Sequence, residues 1–317
     1  MTAALMIDVN LVGPEASDDV LGVVHAGFGA REVVDPPSSA PDETVESVRA
    51  ALAEHGGLLA TSELGPVGGL LLAPDGDVLS LRRVSVHPDR QGRGVARALV
   101  RQAERIAAAR GFSATRVLAR AELPRTVRFW RRLGYVETDR DGPLVTLAKV
   151  LPVEVESRSA DEARELGSRL AGALRAGDVV ILSGDLGAGK TTFTQGIGAG
   201  LHVRGDVTSP TFVISRVHPS LGDGPALVHV DAYRLGGIEE LDDLDLDTSL
   251  DEAVTVVEWG AGVAEGLADE RLEVRITRPR GEHADSVDHD PRTVLFTPVG
   301  ARWIEAGLGR VLTGALA

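Results

Sequence analysis

The octapeptide Gly184-Asp185-Leu186-Gly187-Ala188-Gly189-Lys190-Thr191 fits the spacing GxxxxGK(S/T), follows an apolar run ending at Ser183, and opens a segment patterned as a helix. Strand, glycine-rich turn and helix in immediate succession commit this part of the chain to an α/β layer, with the turn at the carboxyl end of a buried strand. Gly187 and Gly189 permit torsions and close approach that a Cβ would block, so successive N–H groups can aim at phosphate oxygens. Lys190 then meets the β- and γ-phosphates of a nucleotide, and the Thr191 hydroxyl ligates magnesium. The chain uses 31 arginines and only two lysines, Lys149 and Lys190. A compact ammonium is thus kept where a planar fork would not fit between phosphates. The expected ATP-binding set is Asp185, Leu186, Gly187, Ala188, Gly189, Lys190, Thr191 and Thr192.

Three apolar segments of this half read as buried strands: Val179 to Gly184, Ala226 to Asp231 and Val254 to Trp259. Each ends in a polar group, and in a mostly parallel sheet such ends converge on one ligand crevice. Glu258 occupies the Walker-B position and Asp231 ends the neighbouring candidate. Either carboxylate can bind magnesium, directly or through water, and either can orient the attacking water.

At 317 residues the chain exceeds what one core usually covers, so two domains are expected. LVTLAKV (Leu144 to Val150) alternates like a strand, Pro152 interrupts, VEVES alternates again, and Ser159-Ala-Asp-Glu162 opens an amphipathic helix through Leu174. The boundary falls at Leu151 and Pro152, giving domains 1–150 and 151–317. The expected fold class is α/β: a mixed-sheet α+β domain, then a P-loop NTPase domain with a mostly parallel sheet.

The absence of cysteine removes disulfides, thiolate metal sites and cysteine nucleophiles. The eight histidines form no HExxH pairing, so a hard cation on oxygen ligands is expected rather than zinc. No apolar run approaches the ~20 residues of a membrane span, and the start MTAALMIDVN carries no signal pattern, so the expected compartment is the cytoplasm. Residues 1–150 hold 18 basic and 19 acidic side chains, against 15 and 28 in residues 151–317. The second half, at net −13, is poorly suited to grip nucleic acid by itself. Arg82 to Arg140 is the opposite, with 15 arginines against five acids. That stretch is either a solvated basic face or an attractor for a polyphosphate ligand or RNA.

The motifs GDLGAGKTT, VTSPTF (Val207 to Phe212), HVDAYRL (His229 to Leu235) and VVEWG (Val256 to Gly260), in this order, resemble the TsaE (YjeE) family over nearly all of residues 152–312. That family is the ATPase subunit of bacterial tRNA threonylcarbamoyladenosine synthesis. The resemblance implies that Thr191, Asp231 and Glu258 serve magnesium and hydrolysis, that Lys190 and the loop backbone hold the triphosphate, and that Ser209 to Thr211 form a switch-like loop. Trp259 is either a feature of the site or a core residue. The implied partners are the protein subunits of the threonylcarbamoyltransferase complex, which acts on the adenosine beside the anticodon; tRNA is met indirectly through them, and no membrane is involved. The acidic run Glu239 to Asp247 reads as a solvated or partner-facing loop. A kinase reading is disfavoured, because no acceptor lid or base motif is evident.

In the first half, a strand from Val78 to Val86 runs into His87-Pro88-Asp89-Arg90-Gln91-Gly92-Arg93-Gly94-Val95-Ala96 and then a helix, a turn suited to anions. With VSVHP before it and FWRRLGY (Phe129 to Tyr135) after it, the segment resembles the GNAT acetyltransferase family over most of residues 5–150. The resemblance implies that Gln91, Gly92, Arg93, Gly94, Val95 and Ala96 cradle the acetyl-CoA pyrophosphate, while the strand at Val84 and Val86 holds pantetheine and the acetyl carbonyl. Leu123, Thr126 and Trp130 stand where many members carry Asn, Ala and a proton-donating Tyr. An indole is no useful acid at neutral pH, so the usual general acid is missing. Tyr135 is expected in the core, and the candidate bases Glu32, Glu63 and His87 stay unranked. Two roles remain for this half: an N-acetyltransferase of unknown acceptor, or a non-catalytic acetyl-CoA-sensing or docking module.

Overall fold

The computed structural model describes residues 7–210, 214–234, 251–278, 291–304 and 306–314. The chain divides into two units, Met1–Leu151 and Pro152–Ala317. Among the described residues no helix is long and apolar enough to cross a membrane.

The first unit is a mixed sheet of β1 (Asp8–Val12), β2 (Gly57–Ser62), β3 (Gly65–Asp75), β4 (Val78–Val86), β5 (Ala114–Arg120), β6 (Val136–Asp141) and β7 (Leu144–Val150). Its order is β1-β2-β3-β4-β5-β7-β6. Helices α1 (Ser17–Gly29) and α2 (Val45–His55) pack Val20, Val24, Val48 and Leu52 against Leu59 and Leu71 on one face. On the other, α3 (Val95–Ala109) and α4 (Pro124–Arg132) bring Leu99, Val100 and Trp130 to Leu58, Leu70 and Leu72. Both faces of β3 are therefore covered, which is why its apolar residues run consecutively instead of alternating. Strand β1 escapes the sequence reading: it is a five-residue edge strand carrying Asp8 and Asn10, with no clean alternation.

β4 and β5 run parallel, but their ladder covers only Val78–Ser80 against Ala114–Arg116. Farther along β4, Arg83 and Val84 together stand opposite the single residue Leu70, and Arg83 takes φ 54°. Such a bulge bends and twists its strand. Beyond Ser80 the two strands no longer pair, and the rest of β4 runs on toward α3.

In the second unit the strands are β8 (Val153–Ser157), β9 (Val179–Ser183), β10 (Ser215–His218), β11 (Ala226–Asp231), β12 (Ala253–Glu258), β13 (Arg271–Thr277) and β14 (Arg292–Val299). They form a second mixed sheet in the order β10-β11-β12-β9-β13-β14-β8. The central block β11, β12, β9 and β13 is parallel, and antiparallel strands flank it on both sides. Helices α5 (Ala160–Ala171), α6 (Lys190–Gly200) and α7 (Leu308–Thr313) accompany it. The Ser159 hydroxyl caps α5 by accepting from the Glu162 N–H at 3.1 Å, while the Glu162 carboxylate accepts from the Arg158 N–H, one residue before the cap. α5 and α6 approach closely through glycines. A Cβ on Gly196 would lie 2.1 Å from the Arg164 carbonyl oxygen, so only hydrogen fits between the two backbones.

Candidate functional site

Register brings the second unit's polar strand ends together. Asp231 of β11 is level with Glu258 of β12, and Glu258 with Leu182 of β9, whose strand feeds the glycine-rich loop. Neighbouring strands lie about 4.8 Å apart, so the two carboxylates and the loop occupy one short stretch of sheet edge. Gly189, at φ 103°, turns the loop into α6 from a left-handed conformation that a side chain would oppose.

Lys190 is 5% exposed, and its ammonium donates to the Gly184 and Asp185 carbonyls at 2.9 and 3.1 Å. It also lies 3.6 Å from the centroid of the Trp259 ring. Burial pushes its pKa below the ordinary lysine value, and the carboxylates of Glu258, Asp231 and Asp185 oppose that shift. Trp259 itself takes φ 62°, rare for a bulky residue, while its N–H donates to the Leu182 carbonyl at 2.9 Å. Its ring sits 5.0 Å from that of Tyr233. Trp259 therefore lies at the site, against the lysine.

Glu258 is 3% exposed and accepts two hydrogen bonds. The Thr191 hydroxyl donates to Oε2 at 3.1 Å, and the fully buried His229 ring meets Oε1 through Nε2 at 2.8 Å. A carboxylate only accepts, so Nε2 carries the proton. His229 Nδ1 is buried with no hydrogen-bond partner among the described residues. Asp231, 4% exposed, accepts from the Ser209 hydroxyl at 3.2 Å and the Tyr233 N–H at 3.0 Å. Lys190, Thr191, Asp231, Glu258, Ser209 and Trp259 thus come together. In the loop, Ala188 is buried and Leu186 is 87% exposed, while Thr192 is half-buried on the first turn of α6. Thr211, Phe212, Leu235 and the acidic run Glu239 to Asp247 lie outside the described residues.

Two residues at this site escape the sequence reading. His229 precedes Asp231 by two on β11, so period-two alternation puts both on one face, a signal that the sequence does carry. Arg292 of β14 donates through Nε to the Ala188 carbonyl at 2.7 Å, bracing the loop from a strand a hundred residues away. No local pattern announces that contact.

In the first unit, Val84 and Val86 lie at the bulged end of β4, and 91–96 form the turn into α3. The Val84 carbonyl already accepts from Arg31 at 2.9 Å. Gly92 and Gly94 take φ 73° and 84°, and the first N–H groups of α3, at Val95 and Ala96, have no intrahelical acceptor. Gln91 to Gly94 are exposed, while Val95 is anchored in the core. Trp130 and Tyr135 are 4% and 1% exposed, and the Tyr135 hydroxyl shares a 2.8 Å hydrogen bond with Thr115. Tyr135 is a core residue. Burial, with the nearby Glu104 charge, pushes its phenol well above the ordinary value. Glu63 occupies the β2–β3 turn and His87 starts the turn after β4, at the same end of the sheet, since Gly68 pairs with Val86. Among the described residues no cluster of three or more His, Asp or Glu is placed to hold a metal.

The sequence pattern of the family described as "Threonylcarbamoyl adenosine biosynthesis protein TsaE" matches residues 157–286, and that of the "Acetyltransferase (GNAT) family" matches residues 30–135. A tRNA threonylcarbamoyladenosine biosynthesis protein TsaE from Streptomyces coelicolor is 63% identical over 152 residues, covering 48% of this chain and 99% of that protein. The protein of the same description from Bacillus subtilis is 39% identical over 145 residues, covering 45% and 84%. Among solved structures, the PaiA N-acetyltransferase of Thermoplasma acidophilum in complex with coenzyme A is 16% identical, covers 46% of this chain and 99% of that one, and has a TM-score of 0.42. With its loop, paired carboxylates and near full-length match to such relatives, the chain belongs, through its second half, to the TsaE family of threonylcarbamoyladenosine biosynthesis proteins.

Proposed function

We propose that residues 151–317 form a magnesium-dependent ATPase domain serving threonylcarbamoyl modification of tRNA at the adenosine adjacent to the anticodon. The observation that carries this reading is the hydrogen bond from Thr191 to Glu258, with Asp231 in register beside it. A loop hydroxyl and two carboxylates, all oxygen donors, suit magnesium, which is typically held by one or two carboxylates together with substrate phosphates. Thr191, Asp231 and Glu258 would hold the ion. The chemistry it would supply there is neutralisation of the charge that develops on the phosphate oxygens. On nucleotide binding, Lys190 exchanges its loop carbonyls for phosphate oxygens. Water attacks the γ-phosphorus, the bond to the β–γ bridging oxygen breaks, Asp231 and Glu258 orient that water, and one of the two carboxylates takes its proton. Docking on the subunits of the threonylcarbamoyltransferase complex gives the domain its access to tRNA.

Residues 1–150 are proposed to bind acetyl-CoA, with the N–H groups of 91–96 on the pyrophosphate and pantetheine along Val84 and Val86 where β4 leaves β5. An N-acetyltransferase reaction there attacks the thioester with an amine and expels a thiolate that must gain a proton. Trp130 cannot supply that proton, and Tyr135 is bonded to Thr115 in the core. This specific burial favours a second reading of the unit, binding without transfer. Lys190→Ala should abolish ATP turnover and remove threonylcarbamoyladenosine from the tRNA of cells that depend on this chain; unchanged modification would sink the first reading. Calorimetry with acetyl-CoA and thiol release with amine acceptors separate the two roles of the first unit.

A further inference from the structure

Helices α3 and α4 border a cavity of about 340 Å³ lined by Arg97, Arg125, Arg128, Arg132, Phe129 and Leu133. All four arginines are exposed, and none has a carboxylate partner among the described residues. Other arginines of this unit are paired, Arg83 with Glu43, Arg116 with Asp75, Arg120 with Glu122, and both Arg131 and Arg140 with Glu137. Some, such as Arg93 and Arg101, are not paired among the described residues, and what sets these four apart is that they line one cavity. Four like charges in one cleft repel one another, an arrangement relieved by a polyanion. Arg125, Arg128 and Arg132 stand at i, i+3 and i+7, one stripe along α4 spanning about 10 Å, with Arg97 on the facing helix. Phe129 contributes a half-buried aromatic ring to the same cavity.

We infer that this cleft seats an RNA backbone and that the first unit grips tRNA directly. A basic groove tracking phosphates, with an aromatic side chain on which a base can stack, is how proteins hold unpaired nucleic acid. A terminal phosphate monoester on a small ligand occupies one or two guanidiniums; a stripe of three with a fourth across the groove matches a run of successive phosphates. The second unit, at net −13, is poorly suited to hold a phosphate backbone. The inference goes beyond the ATPase and acetyl-CoA readings and stands on different residues.

The test uses the full chain and an unmodified tRNA transcript, with affinity measured by fluorescence anisotropy across a salt series. The triple variant Arg125→Gln, Arg128→Gln, Arg132→Gln should bind at least tenfold more weakly at physiological salt. Its log–log salt slope should shrink by about 2.1, from three lost contacts at about 0.7 each for an unpaired strand. Circular dichroism, ATP turnover and acetyl-CoA affinity should not change. The Arg→Lys triple should keep most of the slope. Equal tRNA affinity in wild type and the Gln triple would overturn the inference, as would a Gln triple that loses acetyl-CoA while keeping tRNA, since the arginines would then belong to the cofactor's phosphates.

Discussion

Glu258→Gln separates charge from shape at the nucleotide site. The amide has nearly the volume of the carboxylate. Its oxygen still accepts from His229 Nε2, and its NH2 donates to Thr191 Oγ1 once that hydroxyl rotates, so both observed contacts survive in neutral form. Charge-assisted bonds are about twice as strong as neutral ones, so weakening two costs on the order of 1–3 kcal/mol. Relief from burying a charge at a residue 3% exposed offsets part of it. Net stability should therefore change by less than about 2 kcal/mol. Losing a group that takes or positions the water proton costs 10²–10⁴ in rate, or about 2.7–5.4 kcal/mol of barrier. Steady-state phosphate release and urea unfolding on the same preparation decide the matter. A kcat within fivefold of wild type, with the fold intact, would refute the assignment of Glu258 to the hydrolytic step.

Gly196→Ala should destabilise the second unit by about 1–2 kcal/mol. The new methyl at 2.1 Å from the Arg164 oxygen forces α5 and α6 apart, and about 1 kcal/mol of better helix propensity only partly compensates. A melting temperature equal to wild type contradicts the close approach. Tyr135→Phe should cost about 1–2 kcal/mol by removing the partner of the buried Thr115 hydroxyl, and should leave any acetyl transfer unchanged; a large loss of transfer would return Tyr135 to the site. The advantage of Tyr over Phe should also depend on pH. The folded phenol is pushed above 10.0, so the unfolded one ionises first, and the advantage present below pH 10 declines above it by about 1.4 kcal/mol per unit. Paired urea titrations at pH 8 and 11 measure this, and a constant difference argues against burial of Tyr135.

Local chemistry is legible in the amino-acid order alone. The loop 184–189 with Lys190 and Thr191 is contiguous, its torsional needs are written in glycines, and its flanking strand and helix announce themselves by pattern. Asp231 and Glu258 are legible as strand ends, because apolar runs show where buried strands stop. Their alignment is not, since register is set by pairing among segments far apart in sequence. The same holds for Arg292 beneath the loop, for the His229 bond that pins Glu258, and for the bulge in β4 at Arg83 and Val84. Composition discloses an arginine-rich stretch but not which arginines lack partners. Folding hands Glu137 to Arg131 and Arg140, and gathers Arg97 with Arg125, Arg128 and Arg132 into one cleft. A sequence specifies torsional preference and burial over a few residues, whereas the distance between charges from different elements exists only once the sheet and helices have packed.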